Sequence, residues 1–279
     1  MRRNMCTFDA FGRNMTQEYH KHFDWEALRE EAARTAGEEP FLAALLESTI
    51  AGRNSFAEAL AALLSGQCIF IHENADLARA VRQAIEADGA IVDDAVCDLE
   101  AIVEKDPATN SYLEPFLFYK GFISLELYRI GRQLWTSGRR MAAYYIQSRS
   151  SQLFGVDIHP AAQIGRGIFI DHATGIVVGE TAVVGDNVSI LHGVTLGGTG
   201  KETGKRHPTI GRNCLLGAHA TVLGNITVGE GSVIGAGSVV LHSVPPHSLA
   251  AGVPAVNKGR ISITEPSNSM DQIFDDYVI

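Results

Sequence analysis

The sequence lacks any apolar run approaching the roughly 18 residues that a membrane-spanning helix needs. Its opening, MRRNMCTFDAFGRNM, has no apolar core of the kind a secretion signal carries. These two absences make the cytoplasm the expected compartment and exclude a membrane partner. Cysteine is scarce: Cys6, Cys68, Cys97 and Cys214 lie far apart with no metal-ligand spacing, so reduced thiols and no bound metal are expected. Positive charge is also short. Of the net charge of −9, residues 1–157 carry −7, residues 158–260 carry +2 and residues 261–279 carry −4. Such a balance argues against nucleic acid as a partner and leaves only the middle region suited to an anionic ligand. Charged residues at 20% and hydrophobic residues at 46% are the proportions of a soluble globular chain rather than a disordered one.

What the sequence does have is a period of six. An aliphatic or small apolar residue returns at Ile158, Ile164, Ile170, Ile176, Ala182, Val188 and Val194. After a ten-residue interruption it returns at Ile210, Leu216, Val222, Val228, Ile234 and Val240. A helix repeats every 3.6 residues and a strand every 2, so neither sustains this spacing; a parallel β-helix does. Small residues follow four places on, at Ala162, Thr174, Gly198, Cys214, Ala220, Ser232 and Ser238, as tight corners require. This pattern resembles the hexapeptide-repeat acyltransferases. The resemblance implies a left-handed, three-sided parallel β-helix in which residues 18 apart stack at roughly 4.8 Å.

The rest of the chain divides around this repeat. Residues 1–154 read as an all-helical domain, with a loose stretch up to about residue 22. Asp24 precedes the apolar spacing of the first helix, Pro40 stands at a first helical position, and Ser55 with Glu58 forms a capping box. Asn74 is placed to cap Leu77–Ala87, a further helix runs from Asp93 to Glu104, and Leu113–Trp135 is one long apolar segment before a last helix from Arg139. Residues 155–260 form the β-helix, and 261–279 a flexible acidic tail ending in Tyr277-Val278-Ile279. A solenoid cannot leave its end coil bare, so the helices are expected to cover the first hexad, with Phe116, Phe118, Tyr119, Tyr144 and Tyr145 as packing surface for the core or a subunit interface rather than a ligand cage. Residues 199–209, TGKETGKRHPT, are the single break in register and must leave the coil as a loop; they hold Lys201, Lys205, Arg206 and His207.

Of ten histidines, His172 stands out: it lies two places after the inward Ile170 and directly follows Asp171. His192 reads as groove lining, and His219, His242 and His247 as surface residues of the repeat. Around His172 the sequence is similar to the serine O-acetyltransferases. The likeness rests on Val156-Asp157-Ile158-His159-Pro160, Ile170-Asp171-His172-Ala173-Thr174-Gly175, Val178-Gly179-Glu180-Thr181, Val194-Thr195-Leu196-Gly197-Gly198-Thr199-Gly200 and Arg206-His207-Pro208. Upstream it continues through Lys105-Asp106-Pro107-Ala108, Lys120-Gly121-Phe122 and Tyr128-Arg129-Ile130-Gly131.

That resemblance implies transfer of acetyl from acetyl-CoA to the hydroxyl of L-serine. His172 would be the general base and Asp157 its orienting carboxylate, Asp106 and Asp171 would hold the serine ammonium, and Arg206 and His207 its carboxylate. No cysteine lies in these motifs, so direct transfer is expected rather than a covalent acyl-enzyme. Acetyl-CoA would lie along a groove between adjacent β-helices against Gly198, Ala218 and Ala236, with Lys258 near its phosphates. Val256 stands where the family usually carries a basic residue. The resemblance further implies a homohexamer built as a dimer of trimers, feedback inhibition by L-cysteine, and insertion of the C-terminal Ile279 into cysteine synthase. The rival readings are an acetyltransferase for a sugar hydroxyl and, from another class, a γ-type zinc carbonic anhydrase, for which His242 and His247 offer two ligands.

Overall fold

The computed structural model describes residues 22–68, 75–200, 203–274 and 277–278. The chain forms two compact units, residues 1–115 and 116–279, and passes from one to the other within a short helix. In the first unit lie α1 (Trp25–Glu38), α2 (Ala43–Leu46) continued by a π-helical turn at Glu47–Ala51, α3 (Phe56–Cys68), α4 (Ala75–Ala87) and α5 (Ala90–Lys105). Two expected caps are present. The Asp24 carboxylate accepts from the N–H groups of Glu26 and Ala27 at 2.9 and 3.3 Å, and Ser55 Oγ accepts from Glu58 N at 3.3 Å. Pro40 instead occupies a turn before α2, and the helix expected from Asp93 begins at Ala90. Asn74 and the loose N-terminal stretch fall outside the described residues. Cys97 is disulfide-bonded, which corrects the expectation of four reduced thiols, whereas Cys214 is free and burial pushes its thiol up to about 12.

The apolar stretch Leu113–Trp135 is broken in two, α6 (Leu113–Phe118) and α7 (Lys120–Thr136), before α8 (Arg140–Phe154). α7 passes so close over the first coil that a Cβ on Gly121 would sit 2.1 Å from the carbonyl oxygen of Ile170. Beyond it the chain winds into three parallel sheets. Sheet one stacks β1 (Val156–Ile158), β4 (Ile176–Val178), β7 (Thr195–Gly197), β10 (Thr221–Leu223) and β13 (Val239–Val240). Sheet two stacks β2 (Gln163–Ile164), β5 (Val183–Val184), β8 (Thr209–Ile210) and β11 (Thr227–Val228). Sheet three stacks β3 (Phe169–Asp171), β6 (Ser189–Leu191), β9 (Leu215–Leu216), β12 (Val233–Ile234) and β14 (Ser248–Gly252), with β15 (Ala255–Arg260) added antiparallel. The chain visits sheets one, two and three in rotation, the parallel β-helix that the hexads imply.

The register differs from the simple period in one instructive way. Val177 pairs with Thr195 and Val233 with Leu215, each 18 residues away, but Asp157 pairs with Val177, 20 residues on, and Thr195 with Thr221, 26 residues on. The ten-residue interruption is therefore two insertions. Ile170 and Val178 stand eight apart where their partners Ile190 and Leu196 stand six apart, so two residues, His172 and Ala173, are extra at that corner. The other eight leave as the loop between Leu196 and Ile210. A shift of two is silent in the sequence because each hexad buries two residues two places apart. Val156, Ile176 and Val194 are as buried as Ile158, Val178 and Leu196.

The first coil is closed by α7. Leu125 and Tyr128 join the β-helix core. Tyr128 OH donates to Ala162 O at 2.6 Å and accepts from Ile164 N at 3.2 Å, Arg129 donates to Gly165 O at 2.9 Å, and Arg132 donates to Ala161 O and Ala162 O at 3.1 and 2.8 Å. Polar groups are needed here because a bare end coil presents a row of unpaired backbone atoms. Of the aromatic residues expected at the core or a subunit interface, Phe116 is buried, Tyr144 packs on His159 of the first coil, and Phe118 and Tyr145 are exposed in the single chain. At the far end the chain turns back over the outside of sheet three. α9 (Pro266–Ser269) brings Ser267 against Ser189, Oγ to Oγ 2.8 Å, while Ile261 and Met270 pack on Leu191, Leu215, Val233 and Leu249. Among the described residues no helix is long and apolar enough to cross a membrane.

If Tyr128 closes the first coil through its hydroxyl, Tyr128→Phe will lower the unfolding free energy by about 1–3 kcal/mol, since Ala162 O and Ile164 N both lose a partner. Urea denaturation measures this, and an unchanged midpoint would show that packing alone does the capping.

Candidate active site

Most of the candidate residues lie at the corners of the β-helix rather than on its faces. Where sheet three passes to sheet one, the successive corners are His172 to Gly175, His192–Gly193, Gly217 to His219 and Ala236–Gly237. Where sheet one passes to sheet two, they are His159–Pro160, Gly179 to Thr181 and Gly198 to Pro208.

At the three–one corner, His172 and Ala173 are the two inserted residues, and both adopt left-handed backbone with φ of 56°. This conformation is costly for residues with a Cβ, on the order of 1–3 kcal/mol each. It throws the imidazole outward: the His172 side chain is 79% exposed, with Nε2 at 3.8 Å from Asp171 Oδ1. Lys120 at the start of α7 hydrogen-bonds Thr174 Oγ1 on the same corner. Ala218 and Ala236 follow on the next coils, linked by the bond from Gly237 N to Ala218 O at 2.7 Å.

At the one–two corner the groups are tied down. Arg206 donates from Nη2 to Glu180 Oε2 at 2.5 Å, which holds the Glu180 carboxyl below the usual carboxylate range. Thr181 Oγ1 accepts from the backbone N–H of both Arg206 and His207, at 3.0 and 3.1 Å. The backbone N–H of Thr181 donates to His207 Nδ1 at 3.2 Å. Because a peptide N–H can only donate, Nδ1 is an acceptor and the neutral ring carries its proton on Nε2. Burial is the main cause that lowers the His207 pKa, with Arg206 adding to it, so the neutral form is favoured. His207 is 8% exposed and its ring lies over Gly179, where a Cβ would come within 2.0 Å of Nε2. A Cβ on Gly198 would meet the same nitrogen at 3.5 Å. The arrangement is a fixed N–H donor beside a guanidinium, suited to an anionic oxygen.

Asp157 projects from the middle of β1 and accepts from Gln147 Nε2 of α8 at 2.6 Å. Its charge acts on His159, whose pKa is lowered by burial, raised by Glu180 and Asp157, and lowered again by Arg206. His159 is wedged between Trp135 and Tyr144, with ring centroids at 5.2 and 5.8 Å. Asp157, Arg206, His207 and Gly198 thus gather towards the one–two corner. His172, Asp171, Ala218 and Ala236 gather at the three–one corner. A face of six residues, spanning up to about 20 Å of backbone, separates the two.

The remaining expected residues lie elsewhere. Asp106 ends α5 in the first unit, where its Oδ1 accepts from Ala108 N at 2.9 Å. Lys258 is exposed on β15. Lys201 and Ile279 fall outside the described residues. Among the described residues no group of three His, Cys, Asp or Glu side chains converges as a metal site, and His242 and His247 stand at different corners. Sequence reasoning gave no part to Glu180, Thr181, Gln147 or His159. Counting coils would have placed Glu180 and Thr181 one coil below Arg206 and His207, but only with the two-residue insertion already known.

A family model described as "Serine acetyltransferase, N-terminal" matches residues 25–127, and one described as "Bacterial transferase hexapeptide (six repeats)" matches residues 207–242. The serine acetyltransferase of Salmonella typhimurium is 48% identical over 252 residues, covering 90% of this chain and 92% of that protein. Among solved structures, the soybean serine acetyltransferase complexed with serine is 49% identical with a TM-score of 0.81, covering 84% of this chain and 96% of that one. The Brucella abortus enzyme in complex with coenzyme A is 46% identical with a TM-score of 0.83, covering 86% and 96%. A serine acetyltransferase in complex with cysteine is 44% identical with a TM-score of 0.85, covering 90% and 98%.

The depressed pKa values of His207 and His159 fix the sign of a pH effect. The unfolded chain takes up these protons near pH 6.5 while the folded chain resists, so stability is full above that pH and declines as pH falls below it. Unfolding free energies measured between pH 7 and 5.5 should fall for the wild type, by no more than about 1.4 kcal/mol per pH unit for each group. The fall should be shallower for His207→Gln, and parallel slopes would contradict the assignment.

Proposed function

The chain belongs to the serine acetyltransferase family, and from that premise we propose that it moves acetyl from acetyl-CoA to L-serine by direct transfer, at a site made by two copies of the chain. The observation that carries this reading is the separation of the roles: the exposed His172 with the small residues Ala218 and Ala236 on one corner, and the anion-binding pair Arg206 and His207 with Gly198 on another. Either corner alone is a convex edge. Placed against the other corner of a neighbouring chain, it becomes one wall of a groove, and a closed ring of three chains makes three such grooves.

In such a groove Arg206 and the Nε2–H of His207 take the serine carboxylate, and Asp171 with Asp106 takes the ammonium. The serine hydroxyl then faces His172 of the adjoining protomer. The neutral imidazole removes the hydroxyl proton as the oxygen attacks the thioester carbonyl carbon. Asp157 orients the ring and stabilises the imidazolium. Backbone N–H groups near Gly197 and Gly198 receive the developing negative oxygen. Collapse of the tetrahedral intermediate breaks the carbon–sulfur bond, and the sulfur leaves as the CoA thiol with the proton that His172 had taken. The pantetheine arm runs past Gly198, Ala218 and Ala236, and Lys258 lies towards the phosphates. L-cysteine carries the same ammonium and carboxylate as serine, so it competes at the same groups. Two trimers pair into a hexamer, and the C-terminal Ile279 enters cysteine synthase.

A thiol-release assay with L-serine tests the site directly: His172→Ala and Arg206→Ala should each lose nearly all activity. Co-expressed in equal amounts, the two variants should recover about a quarter of the wild-type rate, because one groove in four then joins an intact His172 to an intact Arg206. No recovery would place both residues in one chain's own site. Deleting Ile279 should abolish binding to cysteine synthase, read by co-purification, and leave acetyl transfer unchanged.

A further inference from the structure

Asp157 is held by a side chain from outside the β-helix. α8 ends at Phe154, and Gly155 reverses the chain with a left-handed φ of 67° and an N–H that bonds Ser151 O at 3.0 Å. The chain folds back on itself, and α8 lays Gln147 against Asp157, ten residues on. One face of α8 buries Ala143, Ile146 and Ser150, and Gln147 stands at its border. Chemistry orients the amide: an ionised carboxylate can only accept, so the atom 2.6 Å from Asp157 Oδ1 is Nε2. Gln147 Oε1 is then buried and, among the described residues, accepts from nothing. Burying an amide oxygen without a donor is costly, and an apolar side chain would fill the same place without that cost. Packing therefore does not explain a glutamine here, whereas its bond to Asp157 does.

The two oxygens of Asp157 are unequal. Oδ1 is held by Gln147, while Oδ2 makes no hydrogen bond among the described residues. A carboxylate that orients an imidazole needs such a division. With both oxygens free the group turns about its own bonds, and the ring it holds turns with it; with one oxygen fixed, the other points one way. We propose that Gln147 is a positioning residue: its amide clamps Oδ1 of Asp157 and so aims Oδ2 at the ring N–H of His172 in the assembled site. This rests on the reading of Asp157 and His172 as the orienting carboxylate and the base. The clamp acts through Asp157 alone; it neither touches a substrate nor passes a proton.

The test compares Gln147→Met, Gln147→Glu, Asp157→Ala and the double variant Gln147→Met with Asp157→Ala by steady-state kinetics, with a melting temperature for each. Methionine keeps the length and helix preference of glutamine without its N–H, and a gap of about 230 Å³ between α7, α8 and the first coil gives it room. Glutamate keeps the shape and sets a second carboxylate against Oδ1. In both single variants at residue 147 kcat should fall by about ten- to a hundredfold, with KM for serine and for acetyl-CoA within about twofold of the wild type. The double variant should be as slow as Asp157→Ala, within about twofold, because a clamp with nothing to hold has no effect. Unchanged kcat in both Gln147 variants beside a large loss in Asp157→Ala overturns the clamp alone. A full further loss in the double variant also overturns it, since the glutamine would then act by packing α8 on the coil. So does a rise in KM at constant kcat, which would put Gln147 in substrate binding. Wild-type activity in Asp157→Ala overturns the reading of the carboxylate, and the clamp with it.

Discussion

Hydrogen bonding between coils is the constraint on which this molecule is built. Each strand of the β-helix pairs with the strand one coil away, so every coil must cross three sheets and return to register. Extra residues cannot be absorbed in the strands without turning inward side chains outward. They can leave only at corners. Two corners do carry extra length, two residues at His172–Ala173 and eight in the loop that ends at Arg206 and His207. Those are also the corners where the expected base and the expected anion-binding pair are found.

The two excursions are built in opposite ways. The loop folds back, and Thr181 secures it by accepting from Arg206 N and His207 N while its own N–H fixes the His207 tautomer. His207 is buried, that burial lowers its pKa, and its Nδ1 is committed to the Thr181 N–H. His172 projects from strained backbone into the open. Strain of this kind persists only where the surroundings over-determine it, and here the paired strands on either side do so. Among the described residues the His172 side chain stays 79% exposed, which is why a neighbouring chain enters the proposed reaction as part of the site.

A similar economy holds at the ends of the solenoid. The first coil is closed by donors from α7, chiefly Tyr128, Arg129 and Arg132, rather than by an apolar lid alone. The outer face of sheet three is covered by the segment through Ser267 and Met270, which brings the C-terminal stretch onto the β-helix. Apolar surface and open backbone each receive the partner their chemistry requires.

The hexads of Ile158 to Val240 determined the β-helix, and the helical spacing upstream determined an all-helical start, because both are periodic burial written residue by residue. Asp171-His172 and Arg206-His207 were legible as candidates from their residue types and neighbouring motifs. The phase of the repeat was not. A slip of two places exchanges one buried class for another, so the insertion at His172 left no trace in the apolar pattern. Only the paired strands could decide which residues share a corner. That decision separated His172 from Arg206, joined Glu180 and Thr181 to the latter, and stacked His192 and His219 beneath the former, since proximity across coils depends on the length of every turn between.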